Sequence, residues 1–219
     1  MDALAEASRQ DWSPILRTFV LLTLLSFIPV LLIGMTSFTR IIIVLALLRQ
    51  ALGMPQTPPN SVLITLAMFL TLFSMGPVVD QVQQQALQPY LSETVSAGEA
   101  LDRAKVPLRD FMVRQIRESD LQAVLEMAHA PMPKTVEEIK FTHLVTAFLL
   151  GELKTAFQIG FVIFLPFLLI DLVVSAVLMS LGMIMLPPST VSLPLKILLF
   201  ILIDGWALVS RTLLSSFWN

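Results

Sequence analysis

The 219-residue sequence sets 14 Lys and Arg against 16 Asp and Glu, a formal net charge of −2, and is 56% hydrophobic but only 14% charged. A soluble domain carries roughly 25% charged residues, so this composition, with a mean hydropathy of +0.81, calls for lipid around the chain. Without a basic excess there is no basis for a nucleic-acid partner. Zero cysteines exclude disulfides, thiolate catalysis and cysteine metal sites. His129 and His143 remain as the only imidazoles; neither is given a role, and no metal or cofactor is expected.

In chain order, residues 1–14 contain Asp2, Glu6 and Asp11 and lack a basic start and a small-residue cleavage site, so they do not read as a signal peptide. Four hydrophobic segments follow, at about residues 15–35 (continuing through 41–48), 62–79, 159–179 and 193–214. Each approaches the roughly 20 helical residues that cross a bilayer core. The first is interrupted by Pro29 and Gly34, the third by Gly160, Pro166 and Asp171, and the fourth by Lys196, Asp204 and Arg211. Proline and charge are tolerated at membrane depth where other helices satisfy them, so these segments are expected to face protein more than lipid. The predicted fold is all-α and integral to the membrane, one unit from 1 to 219.

Residues 81–140, between the second and third segments, hold most of the charge and predict short helices. Ser96 with Glu99, Ser119 with Gln122 and Thr135 with Glu138 match capping-box spacing. Leu108, Phe111, Met112 and Ile116 after Pro107, and Leu121, Val124, Leu125 and Ala128 after Ser119, mark two apolar faces. Pro131 and Pro133 break the run before a helix expected to start at Val136 and lead into the third segment. Residues 80–140 contain ten acidic and seven basic residues, whereas the first connection carries Arg40 and Arg49 and no acid. Positive loops tend to stay cytoplasmic. The first and third connections are therefore placed inside, with the acidic helical region and both termini in the periplasm.

Several side chains need a reason for being where they are. Asp171 and Asp204 stand in apolar runs, where an ionised carboxylate costs roughly 2.5–3.5 kcal/mol on insertion scales. With no second acid or histidine at helical spacing, both are read as structural buried carboxylates, a proton or ion relay being the alternative. Arg117, Glu152, Lys154 and Lys196 lie beside or within apolar segments and need partners. The connection Gly182-Met-Ile-Met-Leu-Pro-Pro188 is apolar where a turn is normally polar. Met183, Ile184 and Met185 could seal a pore softly or simply form a buried hairpin turn.

The stretches Ala147-Phe-Leu-Leu-Gly-Glu-Leu-Lys-Thr-Ala-Phe-Gln-Ile-Gly-Phe161 and Pro194-Leu-Lys-Ile-Leu-Leu-Phe-Ile-Leu-Ile-Asp-Gly-Trp206 resemble the two signature segments of the FliP family, whose virulence relatives are the SctR proteins. Thr36-Ser-Phe-Thr-Arg40, Leu47-Leu-Arg-Gln-Ala-Leu-Gly53, Gln56-Thr-Pro-Pro-Asn60 and Pro107-Leu-Arg-Asp-Phe-Met-Val-Arg-Gln-Ile-Arg117 extend the likeness over almost the whole chain after about residue 15. The resemblance implies a non-enzymatic core subunit of the flagellar type III protein-export gate, in the inner membrane at the flagellar basal body. It further implies a homopentamer joined by FliQ-type and FliR-type subunits, working with FlhA-type and FlhB-type proteins on secreted flagellar subunits. Such a complex extends to the periplasmic level, so the four segments need not all be final membrane crossings. By the same resemblance Met183, Ile184 and Met185 match a methionine-rich constriction, from which Ile184 departs. Arg117, Glu152 and Lys196 match charged subunit contacts, with Glu152 expected to pair with Arg117 or Lys196 of an adjacent copy. A SctR-type subunit is the second reading. A solute or ion transporter would call for paired repeats that the sequence lacks, and an intramembrane enzyme for a nucleophile and base.

Overall fold

The computed structural model describes residues 28–183 and 185–218, together with Leu16, Thr18, Phe19, Leu22, Thr23 and Ser26. Much of the leading half of the first hydrophobic segment, and Ile184, lie outside the described residues. Among the described residues all regular structure is helical.

The first segment breaks at Thr36–Ser37 into α1, Ile28–Met35, and α2, Phe38–Ala51. Local hydroxyls compete with the helical ladder there: Thr39 Oγ1 donates to Ile33 O at 2.6 Å, and Phe38 N donates to Thr36 Oγ1 at 3.3 Å. The loop after α2 is tied down by Arg49, whose Nη1 donates to Pro58 O at 3.0 Å and Asn60 Oδ1 at 2.8 Å.

Next comes α3, Asn60–Leu91, a 32-residue helix with a π-helical turn at Gln83–Leu87. It turns back into α4, Ala97–Gln115, capped as expected by Ser96 Oγ accepting from Glu99 N at 3.3 Å. The helix runs straight through Pro107 instead of beginning after it. Helix α5, Glu118–Met127, has Arg117 at its N-cap and no side-chain cap bond, so the expected Ser119–Gln122 box is not formed. Of the predicted apolar faces, Phe111 and Met112 are buried on one with Leu108 and Ile116 half-buried, and Leu121, Val124 and Leu125 on the other, while Ala128 is exposed.

Turns fill the stretch to residue 140. Arg109 holds them through Nη1 to Val136 O at 2.8 Å and Nη2 to Ile139 O at 2.7 Å. The Thr135–Glu138 pair caps no helix; Glu138 Oε2 accepts from Lys134 N at 2.8 Å within these turns. The helix expected from Val136 starts instead at Phe141 and becomes α6, Phe141–Ser180, 40 residues that continue through Pro166. The last segment forms α7, Pro188–Leu202, and α8, Gly205–Ser215, bent by 63°.

Of the four predicted segments, α3 and α6 are long and apolar enough to cross a membrane, and the bent α7–α8 pair makes a third if taken as one span. Helix α2, at 14 residues, is shorter than a span, and the residues preceding α1 lie largely outside those described. The core lies where α2 packs along α6: Ile41, Val44 and Leu45 meet Leu144, Ala147 and Phe148, all completely or almost completely buried. Helix α4 adds Phe111, whose ring meets Phe148 edge-on at 5.8 Å.

Candidate functional site

Inside this core sits an ion pair. Arg40 of α2 grips Glu152 of α6 side-on: Nε donates to Oε2 at 3.0 Å and Nη2 donates to Oε1. Two parallel charge-assisted bonds suit the planar guanidinium. Glu152 is 1% exposed. The remaining guanidinium donors are used as well, Nη2 on Gln115 Oε1 at 3.0 Å and Nη1 on Ser216 Oγ at 3.0 Å and Ser216 O at 3.2 Å. The Phe217 ring covers the cation, its centroid 3.9 Å from Cζ. Gln115 Nε2 donates to Phe217 O at 2.9 Å, and Trp218 Nε1 to Ser74 O at 3.1 Å. One buried charge pair thus gathers α2, α4, α6 and the segment after α8, and Trp218 ties that segment to α3.

Glu152, expected to pair with Arg117 or Lys196 of an adjacent copy, is held within its own chain by Arg40. The exposed Arg117 donates to Gln158 Oε1 at 3.2 Å. Buried Lys196 on α7 donates to Asp171 Oδ2 at 2.6 Å and Ala51 O at 3.2 Å, joining α7 to α6 and to the end of α2. Lys154 pairs with Asp120 at 3.2 Å. Sequence reasoning missed Arg40, Gln115 and residues 216–218 as members of the polar core. Arg40 left a signal, since it is the only charged residue from Thr18 to Leu48.

The carboxylates of the two apolar runs differ from each other and from expectation. Asp171 is not buried: its side chain is 39% exposed while it holds Lys196. Asp204 is exposed at the α7–α8 bend, with φ of 50° and no side-chain cap bond. The left-handed region is strained for most residues and easier for Asp. Gly205 is required next: a Cβ there would lie 2.1 Å from the Phe200 ring. Trp206 closes the bend by meeting Phe200 edge-on at 5.4 Å. The Asp204-Gly205-Trp206 signature is therefore the chemistry of a kink.

Between α6 and α7, Gly182 turns the chain with φ of +73°, a conformation glycine adopts without a Cβ penalty. Met183 and Met185 beyond it point outward. Met183 is 45% and Met185 97% exposed, although both are apolar. Within the single chain, Met183 and Met185 are therefore not buried by the turn. Among the described residues, no three His, Asp or Glu side chains converge as a metal would need.

A family model described as the FliP family matches residues 21–213. The chain is 51% identical over 210 residues to a flagellar biosynthetic protein FliP of Pectobacterium carotovorum, covering 96% of this chain and 81% of that one. It is 48% identical to the FliP of Bacillus subtilis over 208 residues, 95% of this chain and 94% of that one. With a Buchnera aphidicola FliP it shares 50% identity over 208 residues, 95% of this chain and 55% of that longer protein. A model match over most of the length and near-half identity to flagellar biosynthetic proteins establish that this chain belongs to the FliP family.

Proposed function

We propose that this chain is the pore-forming core subunit of the flagellar type III export gate. Copies assemble, as a pentamer completed by FliQ-type and FliR-type subunits, around a path for unfolded flagellar proteins delivered through FlhA-type and FlhB-type partners. The complex sits in the inner membrane at the basal body, and it conducts without catalysing a reaction. The first and third connections face the cytoplasm, and the helical region α4–α5 faces the periplasm.

The observation that carries this reading is the exposed apolar loop after Gly182. An isolated chain gains nothing by presenting Met185 to water at 97% exposure. Several copies meeting on one axis would bury it. Methionine is flexible and polarizable, so a ring of such loops closes by dispersion contacts and exclusion of water, with no hydrogen bonds to break as cargo enters. Of the charges expected at subunit contacts, Arg117 is exposed and suited to a neighbour. Glu152 and Lys196 serve the assembly by fixing α2, α6 and α7 relative to the loop.

Replacing Met183, Ile184 and Met185 together by Ala tests this directly. The assembled complex should leak small solutes, measured by uptake and growth, while secretion of flagellin falls less. Leucine at all three, similar in volume but stiffer, should leak little and pass cargo less readily. A triple-Ala complex as tight as the parent would remove the loop from the gate.

A further inference from the structure

The α7–α8 candidate span carries three charges, and among the described residues only Lys196 has an ionic partner. Among the described residues, Asp204 and Arg211 form no ion pair, and neither side chain has a hydrogen-bonding partner. Both are exposed. They sit seven residues apart, about two helical turns, hence on one face and about 10.5 Å apart along the axis, too far for each to satisfy the other. Leu208 lies between them on the same face, 53% exposed, and Leu202 beside the bend is 74% exposed. Leu208 also borders an apolar cleft of about 270 Å³, formed with Ile159, Val162 and Ile163 of α6. An unpaired acid and an unpaired base thus flank an apolar face that stands open.

We propose that this face is a seam between copies, in which Asp204 of one copy pairs with Arg211 of its neighbour and an apolar side chain of the neighbour fills the cleft at Leu208. A second copy is the occupant because it offers the complementary charge at each position. A modest rise or tilt between neighbours, together with the reach of the arginine stem, closes the remaining distance. The left-handed backbone at Asp204 turns the carboxylate outward at the bend, and strain of this kind is retained where an outward group is used. The proposal rests on the oligomeric reading above.

The chain has no cysteine, which makes a clean test. A chain carrying both Asp204→Cys and Arg211→Cys cannot close a disulfide internally, because its Cα atoms are about 10.5 Å apart and disulfides need less than about 7 Å. Mild oxidation of the assembled complex should give a ladder of covalent multimers that either single variant lacks. Asp204→Asn keeps the tolerance for the left-handed region and removes only the charge. Asp204→Asn and Arg211→Gln should each lower the oligomeric fraction by roughly threefold to tenfold, and the double variant no further than the worse single one. An intact oligomer with no ladder, a ladder equally strong in a single variant, or losses that add would each overturn the pairing and leave the oligomer standing. If the unaltered chain with its partners stays monomeric by native mass measurement, the oligomeric reading itself falls, and the seam with it.

Discussion

A buried guanidinium is tolerated only if its donors are used, and around Arg40 they are shared among a carboxylate, an amide, a hydroxyl and a carbonyl. Removing one member of such a pair leaves the other desolvated and alone, which costs about 3–5 kcal/mol. Arg40→Gln should therefore lower the thermal unfolding temperature of the purified protein sharply, followed by circular dichroism in detergent. Arg40→Lys should recover only part, since an ammonium keeps the charge and loses the two-point grip and the stacking on Phe217. The sequence marked Glu152 as needing a cation but did not point to Arg40, the one that holds it within the chain. Two residues 112 positions apart share no periodicity, so nothing local ties them. The legible clue was negative: Arg40 and Glu152 are each a lone charge of their sign in an apolar run, and isolated opposite charges in buried helices tend to find each other.

At the level of helices, hydropathy located α3 and α6 but misjudged their ends. Helix α6 starts at Phe141, five residues after the expected start at Val136 and 18 before the continuous apolar run; its first turns pack on α2 and α5. Pro166 reads as an interruption within its segment and Pro107 as preceding an apolar face, yet each sits inside an unbroken helix; a missing N–H is survivable where neighbouring packing holds the turn. The opposite happened at Asp204, where no proline announces the break. The bend depends on Gly205 leaving room for Phe200. A methyl group there, in Gly205→Ala, collides with the ring and should destabilise the protein by about 1–3 kcal/mol, in the range of overpacked cores. Phe200→Ala placed in the same chain should recover part of that loss, though it creates its own cavity. Melting of the three variants side by side decides it: if Gly205→Ala alone melts like the parent, the ring does not set the bend.

Over the whole molecule, α6 with its 40 residues extends for about 60 Å, twice the roughly 30 Å of a bilayer core. Only part of it can be in lipid. Its C-terminal half is the more exposed and apolar, while its N-terminal half carries Glu152 and the polar core. In the proposed topology, single cysteines placed at Gln56 and Ser189 should react with a membrane-impermeant thiol reagent only after the cells are opened, and one at Glu93, beyond α3, in intact spheroplasts. Labelling in the reverse order would invert the topology. The polar core also sets a schedule. Ser216, which accepts from Arg40, stands 176 residues further along the chain, so the ribosome makes the guanidinium long before it makes that acceptor. Until then α2 holds a cation without its full set of bonds, and α4 an amide whose carbonyl partner at Phe217 does not yet exist. The earliest helices of this subunit are provisional while the chain is being made, and the stretch from Ser216 to Trp218 is the moment at which they become final.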